Sequence, residues 1–509
     1  MVRYISMACI FLFVLWGAIH PAGLTATAEG LLGFTIEKFG WFYLLATFGF
    51  LLFSLYLAFS KHGSIKLGSD DDEPEYGKPT WYAMLFSAGM GIGLVFWGVA
   101  EPMFHYAAPP FDVAEESVEA ARMAMRYSFF HWGLHPWGIY TVIALALAYF
   151  NFRKGYQGLI SHTFYPLLGE RVNGPIGKAI DTLAIIATVF GVATSLGLGA
   201  LQINGGLSYL TGIPNVITTQ LIIIAVVTVL YMISASTGLN RGIKTLSNIN
   251  LKLALGLLFF ALFSGPTSFI FDLFTLTLGG YLQNFIQMSL RLTPFTKGEW
   301  IANWTLFYWA WWIAWAPFVG SFIARVSKGR TIREFVLGVL LVPSLFSFVW
   351  FSVFGGSALH FEMFEGRGIA EAVQADVSSA LFITLEQFPV GLLLSILATL
   401  LITTFFITSA DSATFVLGML SSEGRLNPSV RVKLAWGFLQ SASAAVLLLS
   451  GGLQGLQTAS IVAALPFAVI MVFMCMSIIK SLEEEDKERF RSDRMRNKQL
   501  EVLFRQQEK

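Results

Sequence analysis

The sequence predicts an all-α integral membrane protein with twelve transmembrane helices. Two observations support this fold class. The 509 residues are 55% hydrophobic and 13% charged, with a mean hydropathy of +0.65, which is too apolar for a soluble chain of this length. The apolar residues also fall in stretches of about 20 residues or more, the length that crosses a hydrocarbon core about 30 Å thick.

Twelve such stretches follow one another along the chain. They lie near residues 4–22, 41–60, 80–106, 128–150, 182–209, 216–236, 249–277, 301–324, 334–358, 388–418, 432–450 and 455–479.

The connections between these stretches predict the orientation. Every second connection carries basic residues, such as Arg153 with Lys154 and Arg325 with Lys328, whereas the connection at 359–387 is acidic. Loops rich in Lys and Arg stay in the cytoplasm. We therefore expect a multi-pass protein of the cell membrane with both termini cytoplasmic.

Charge and cysteine content exclude two classes of partner. A net charge of +1 argues against nucleic acid. Cys9 and Cys475 lie in the first and last predicted helices without a spacing partner, so they indicate neither a disulfide nor a metal site.

The helices are predicted to form a tandem. Helices three to seven begin with a glycine-broken segment at 87–98, and helices eight to twelve begin with a tryptophan-rich segment at 302–318. Two sets of five helices start on opposite sides of the membrane, as in the inverted repeats of secondary transporters. The predicted units are two N-terminal helices at 1–60, a first repeat at 61–278, an amphipathic connecting helix at 279–298, a second repeat at 299–480 and a charged cytoplasmic tail at 481–509.

The tryptophan-rich helix carries one aromatic face. At 100° per residue, five side chains fall within an arc about 100° wide, namely Trp304, Tyr308, Trp311, Trp312 and Trp315. Helix packing and interface anchoring are one explanation of such a stripe. A face that crosses the whole helix favours an aromatic cage for a quaternary ammonium, in which each desolvated contact contributes about 2 kcal/mol or more.

Helix four carries a second aromatic group. Trp132 and Trp137 flank Pro136, which disturbs helical geometry, and Tyr140 follows Trp137 by one turn. Together the two groups predict a methylated onium as the substrate, because such a cation cannot donate hydrogen bonds.

The glycine-broken helix predicts the other half of the site. Gly89, Gly91 and Gly93 alternate in a helix that lies in lipid, and each costs about 1 kcal/mol relative to alanine. Close packing through small residues is one explanation. The other is a helix that unwinds and exposes its amide groups to a carboxylate. Beside an aromatic cage, this second reading predicts a zwitterion with a methylated cationic head.

Five segments together carry a family resemblance. They are residues 89–93 with Glu101-Pro102, 130–137, 307–312, 324–334 and 408–412. These motifs resemble those of the betaine/choline/carnitine transporter family, and the resemblance runs from about residue 40 to 480. It implies the leucine-transporter-like fold, a homotrimer in the lipid bilayer, and import of a compatible solute by alternating access.

The resemblance also implies roles for particular residues. Those that match the central aromatic box of the family are Trp132, Trp137, Tyr140 and Trp312. Those that would line the path from the box toward the cytoplasm are Trp311, Trp315 and Phe322. Choline-carrying relatives tend to have an acidic residue at the third glycine, which is Gly93 here, so glycine betaine is the favoured substrate and choline is expected to be a poor one.

Sodium is the expected coupling ion, and no other cofactor is expected. Thr408 and Ser409 place two hydroxyls side by side in an apolar helix, and a small hard cation binds such oxygens together with carbonyls of a broken helix. Hydroxyls bonded back to their own helix are the alternative. Resemblance to sodium-coupled members implies carbonyl ligands at Ser87, Met90 and Phe405.

The same resemblance suggests a second sodium site at Thr188 and Phe318. Val192 stands where the family has a further threonine one turn later. The number of coupled sodium ions, one or two, therefore stays open.

Four ionisable residues in the predicted helices are left outside the predicted site. Glu101 is read as lying near the outer surface, and Asp411 as part of a structural network. His131 and His135 are read as packing residues rather than a proton relay, because no acid lies near them in the same helix.

Rival functions differ in the residues they require. A channel needs rings of carbonyls or charges along a pore, and an enzyme needs clustered acids, histidines or cysteines; neither fits this chain. A sodium-independent exchanger, a proton-coupled choline or carnitine carrier and a non-transporting onium receptor stay open. The tail at 481–509 is expected to be a solvated helix that confers only modest activation by osmotic stress.

Overall fold

Helices make up the regular structure of the computed structural model, which describes residues 1–89, 91–237, 240–296, 298–425 and 427–507. Within these residues no strand forms beyond an isolated bridge between Lys66 and Thr331. The helices are α1 (Val2–Ile19), α2 (Pro21–Phe59), α3 (Lys78–Gly89), α4 (Ile92–Ala107), α5 (Val118–Trp132), α6 (Leu134–Ala148), α7 (Tyr165–Leu168), α8 (Pro175–Thr211), α9 (Ile217–Thr237), α10 (Asn240–Ser264), α11 (Thr267–Gln283), α12 (Phe285–Ser289), α13 (Phe307–Arg325), α14 (Ile332–Glu365), α15 (Ile369–Ala375), α16 (Ala380–Glu386), α17 (Gly391–Leu420) and α18 (Val430–Gln507).

Ten helical segments of the described chain are long and apolar enough to cross a membrane. One of them runs from 430 to 491 and joins two predicted crossings through a break at Gly451 and Gly452. The predicted crossing at 80–106 is split into α3 and α4, each too short to be among the ten. These segments confirm an all-helical, multi-pass membrane protein.

Two breaks in the helices shape the interior. Gly91 is extended, with φ −164° and ψ −177°, and separates α3 from α4 where the glycine run predicted an interruption. Gly133 separates α5 from α6, with φ −94° and ψ −135°. Pro136 explains the second break, because it has no N–H to donate to the carbonyl four residues earlier, that of Trp132.

Helix α13 lies at the centre of the molecule. It packs against α6, α8 and α18, while α14 packs against α4 and α5. Trp309 and Trp311 of α13 are almost fully buried, at 0% and 2% exposure. A π-helical turn, Ala302–Leu306, leads into α13 and alters the register of side chains before it.

The predicted connecting helix at 279–298 is helical only in part. Helix α11 continues into this region as far as Gln283, and the short α12 follows.

The charged tail at 481–509 was expected to be a solvated helix, but its first six residues depart from this expectation. Glu485 is buried, lies 2.5 Å from the Arg153 guanidinium and 3.0 Å from Lys154 Nζ, and accepts a hydrogen bond from Tyr149. Asp486 lies 2.6 Å from Lys61 Nζ. The expectation was wrong here because the cationic partners lie more than 300 residues earlier in the chain.

Candidate substrate-binding site

A cavity of about 1240 Å³ connects the centre of the helix bundle with loops at one end of the molecule. Arg325 at the end of α13, and Lys328 and Arg425 in loops, line the cavity there. In the centre it is lined by aromatic side chains and by the helix break, at Trp132, Trp137, Tyr140, Trp311, Trp312, Gly91 and Gly93. The predicted substrate residues of helices three, four and eight therefore meet at one space.

The aromatic side chains stand at steep angles to one another around this space. The Trp132 and Trp312 rings have centroids 4.9 Å apart and planes at 85°. Tyr140 lies 5.9 Å from Trp312 at 89°, and 5.3 Å from Trp137 at 76°. Trp311 lies nearly parallel to Trp312, at 5.0 Å and 22°. Walls arranged in this way offer π faces and ring edges to a compact ligand.

The predicted aromatic face is only partly in the cavity. Trp311, Trp312 and Trp315 line it, but Trp304 and Tyr308 do not. Trp304 lies within the π-helical turn and packs against His105, with ring centroids 4.3 Å apart. Its ring also lies 6.4 Å from that of Tyr308, which in turn lies 6.4 Å from that of Trp312. The aromatic face is therefore continuous, and the cavity borders only one part of it.

Glycine lets helix α4 begin at the edge of the cavity. No side chain caps the amide groups of α4 at Gly91 among the described residues, so this helix end is available to an anion. A Cβ on Gly93 would lie far inside van der Waals contact of the Trp311 ring and 3.2 Å from the Trp132 ring. Gly89 ends α3. Position 93 therefore has to be glycine for these rings to approach α4.

The indole N–H groups around the cavity differ in their partners. Trp312 donates to the His131 carbonyl at 3.1 Å, and Trp315 donates to the Gly191 carbonyl at 2.6 Å. The buried N–H of Trp311 has no acceptor among the described residues. Phe322, 39% exposed, also lines the cavity.

Four of the predicted sodium ligands border the same cavity. They are Ser87, Phe405, Thr408 and Ser409; the fifth, Met90, lies outside the described residues. The Thr408 hydroxyl lies 3.0 Å from the Thr404 carbonyl and 3.2 Å from that of Phe405. The Thr408 hydroxyl therefore donates to its own helix. Its oxygen can still accept, and it does so from Asn250 Nδ2 at 3.3 Å.

The residues of the suggested second sodium site are not brought together at the cavity. Phe318 lines it, but Thr188 does not. Thr188 is fully buried and donates to the Ala184 carbonyl at 2.7 Å. Val192, also buried, offers no side-chain oxygen.

The sequence reading of Glu101 was wrong. Glu101 does not lie at a surface but is fully buried, and it accepts hydrogen bonds from Trp132 at 2.8 Å and Tyr308 at 2.6 Å. His131 Nδ1 lies 2.6 Å from its other oxygen. The sequence interpretation of His131 as a packing residue assumed that no acid lies near it, but Glu101 approaches it from another helix. An ionisable residue in an apolar helix was the signal that could have found Glu101.

His135 and Asp411 complete the account of the ionisable residues. His135 is a packing residue, as predicted: its ring stacks on Trp309 at 5.3 Å, and Nε2 lies 2.8 Å from Ser289 Oγ. Asp411 lines the cavity, and its Oδ1 has no hydrogen-bond partner among the described residues.

Comparisons with known proteins agree with this geometry. The family model described as betaine/carnitine/choline family transporter matches residues 1–487. The glycine betaine transporter OpuD of Bacillus subtilis is 55% identical over 489 residues, which cover 96% of this chain and 95% of that protein. The ectoine/hydroxyectoine transporter of Virgibacillus pantothenticus is 52% identical over 96% of this chain and 97% of that protein. A probable glycine betaine transporter of Desulfitobacterium hafniense is 48% identical over 95% and 97%.

These matches confirm the family resemblance drawn from the motifs. They also confirm that the protein is a membrane transporter and not an enzyme.

Proposed function

Since the chain belongs to the betaine/carnitine/choline family of transporters, we propose that it imports glycine betaine or a related onium zwitterion by sodium symport and alternating access. The observation that carries this proposal is the meeting of an aromatic box and an uncapped helix end in one cavity. One half of the site suits a methylated cation, and the other half suits a carboxylate.

The aromatic half accounts for the cationic head. A trimethylammonium group has no N–H to donate, so hydrogen-bonding side chains gain nothing from it, whereas aromatic rings attract its charge. Each desolvated cation–π contact is worth about 2 kcal/mol. Trp132, Trp137, Tyr140 and Trp312 are the walls of the box, and Trp311, Trp315 and Phe322 line the path out of it.

The glycine half accounts for the carboxylate. The first amide groups of α4 lack helical acceptors, and a helix N-terminus favours an anion by about 0.3–1 kcal/mol, and by about 2 kcal/mol in favourable buried sites. Glycine at 91 and 93 lets the carboxylate approach the backbone.

One sodium ion drives the transport. The hydroxyls of Thr408 and Ser409 and the carbonyls of Ser87, Met90 and Phe405 are its ligands. The proposal does not include a second ion at Thr188, because this residue lies away from the cavity and Val192, one turn later, offers no side-chain oxygen.

The architecture behind this function is twelve crossings in two inverted five-helix repeats, with a homotrimer as the assembly. The pair α3 and α4 acts as one broken crossing, and α18 supplies two crossings on either side of Gly451 and Gly452. With these additions the ten long segments become twelve crossings, and both termini lie in the cytoplasm. The basic loops that the cavity reaches are then cytoplasmic, so the molecule faces inward.

Ectoine is the second candidate substrate. The relative named for ectoine and hydroxyectoine is 52% identical to this chain. Ectoine also joins a delocalised cation to a carboxylate, so it can use both halves of the site, although its N–H groups gain nothing from the box. The relative strength of betaine and ectoine as competitors distinguishes the two candidates.

The function is tested with the purified full chain in proteoliposomes. An inward sodium gradient should drive accumulation of labelled glycine betaine, and an equal potassium gradient should not. Unlabelled betaine should compete more strongly than ectoine, and choline only weakly. Exchange that is unaffected by sodium would contradict symport, and saturable binding without accumulation would favour a receptor.

A further inference from the structure

Glu101 occupies a position behind the aromatic box that the transport site described above does not use. Its carboxylate is fully buried on α4 and faces donors from two other helices. Oε2 accepts from the Trp132 indole N–H at 2.8 Å and from the Tyr308 hydroxyl at 2.6 Å. An indole nitrogen can only donate, so Trp132 needs an acceptor at this point.

The same network also reaches the second wall of the box. His131 Nδ1 lies 2.6 Å from Glu101 Oε1, and its Nε2 lies 2.9 Å from Thr305 Oγ1 in the π-helical turn. The His131 backbone carbonyl in turn accepts from the indole N–H of Trp312. Through these bonds α4, α5 and α13 are tied together at the box.

The three acidic and imidazole groups here, Glu101, His105 and His131, have ligand atoms within 4.8 Å of one another, a spacing that a metal ion could also use. Both ring nitrogens of His131 and both oxygens of Glu101 already have protein partners. His105 Nε2 lies 3.4 Å from Glu101 Oε1, and neither of its ring nitrogens has a hydrogen-bond partner among the described residues. The ligand atoms of Glu101 and His131 are thus engaged by hydrogen bonds, which favours a role of these two groups in orientation over a role in metal binding.

We propose that Glu101 is the positioning residue of the aromatic box: it orients the Trp132 indole toward the cavity, and its charge increases the electron density of that ring. The proposal rests on the proposed function, because it concerns the same onium site. A carboxylate that accepts a hydrogen bond from the indole N–H polarises the ring in a medium of low dielectric, and a more negative π face attracts a cation more strongly.

Glu101→Gln tests the charge of this group. The amide keeps the volume, its carbonyl can accept from Trp132 and Tyr308, and its NH₂ can donate to His131 Nδ1 when the imidazole proton is on Nε2. The substitution therefore removes the negative charge behind the ring while the hydrogen bonds can persist. Betaine affinity should fall at least tenfold, whereas the affinity for a ligand of the same shape without the positive charge should fall less than threefold.

The experiment measures dissociation constants on the purified full chain by tryptophan fluorescence. The ligands are glycine betaine and 3,3-dimethylbutanoate, which has the same shape without the positive charge. The variants are Glu101→Gln, Trp132→Phe and their combination. Once Trp132→Phe has removed the indole N–H, adding Glu101→Gln should weaken betaine binding by less than threefold. A full tenfold loss in that background would overturn the proposal.

Asp181→Asn is the matched control. Asp181 is also a buried carboxylate with two hydrogen bonds, from the Ser161 N–H and hydroxyl, both at 2.8 Å, and it does not line the cavity. Its removal should leave betaine affinity within twofold. Tyr308→Phe, which removes one donor and keeps the carboxylate, should weaken betaine binding about threefold and provides the test if Glu101→Gln does not fold.

The outcomes separate this proposal from the function on which it rests. Wild-type protein that does not bind betaine contradicts the proposed function. If the wild-type protein binds betaine and Glu101→Gln binds it with the same affinity, only the positioning role is contradicted. A stoichiometric metal ion in elemental analysis of the purified protein also contradicts the positioning role alone.

Discussion

Substituting Gly93 tests both the packing and the charge of the proposed site. The Cβ of Gly93→Ala would lie inside the Trp311 ring surface, so that ring has to withdraw by roughly 1 Å to reach an ordinary carbon–carbon separation of about 3.5 Å. Overpacking of this kind costs about 1–3 kcal/mol. Betaine affinity should therefore fall roughly 5- to 150-fold.

Gly93→Asp adds a negative charge to the same steric change. At about 4 Å and an effective dielectric constant near 20, the charge interacts with another by about 4 kcal/mol. It should repel the betaine carboxylate and attract choline, which has none. Relative to Gly93→Ala, the ratio of choline to betaine affinity should rise roughly tenfold or more.

The assay is competition against labelled betaine in proteoliposomes that contain each variant. Comparison of aspartate with alanine at one position cancels the steric effect of the Cβ, which both variants add. Equal ratios in the two variants would refute the reasoning about charge. If Gly93→Ala binds betaine as tightly as the wild-type protein, the backbone at position 93 does not approach the Trp311 ring closely in the binding state.

Two further predictions concern coupling and the tail. Thr408→Ala with Ser409→Ala should raise the sodium concentration for half-maximal uptake at least tenfold, because the double substitution removes two ion ligands. Thr404→Ala is the control: this hydroxyl lies one turn earlier, is bonded to its own helix and is outside the cavity, so its removal should leave the sodium concentration unchanged. Equal effects of the two changes would contradict the site. Glu485→Gln should lower the apparent unfolding temperature by several degrees, since it removes charged hydrogen bonds worth about 2 kcal/mol. Glu484→Gln, at an exposed residue, should change the unfolding temperature by less than a degree. Equal melting curves of the two variants would show that the contact of Glu485 with Arg153 and Lys154 does not stabilise the fold.

Local patterns in the sequence predicted much of the site. Alternating glycine in an apolar helix has a conformational cost that pointed to the break found at Gly91. Tryptophans spaced by helical turns placed Trp311, Trp312 and Trp315 on one face, and the structure puts all three at the cavity. These features depend on residues close together in the chain, so a periodic pattern records them.

Features that depend on distant partners were not predictable in the same way. The cavity borders Trp311 and Trp312 but does not reach Trp304 or Tyr308 on the same aromatic face, and no periodic rule reports where a cavity ends. Glu101 lies 31 residues from Trp132 and 207 from Tyr308. Reading each helix by itself placed this acid at a surface, because its donors belong to other helices.

The central claim is that the aromatic box recognises positive charge rather than shape. Isothermal titration of the wild-type protein with glycine betaine and with 3,3-dimethylbutanoate tests it most directly, because the two ligands differ chiefly in a quaternary nitrogen against a carbon. Loss of one cation–π contact of about 2 kcal/mol already predicts roughly 30-fold weaker binding of 3,3-dimethylbutanoate, which lacks the cationic centre. Equal affinities would contradict the claim and leave apolar packing as the basis of recognition.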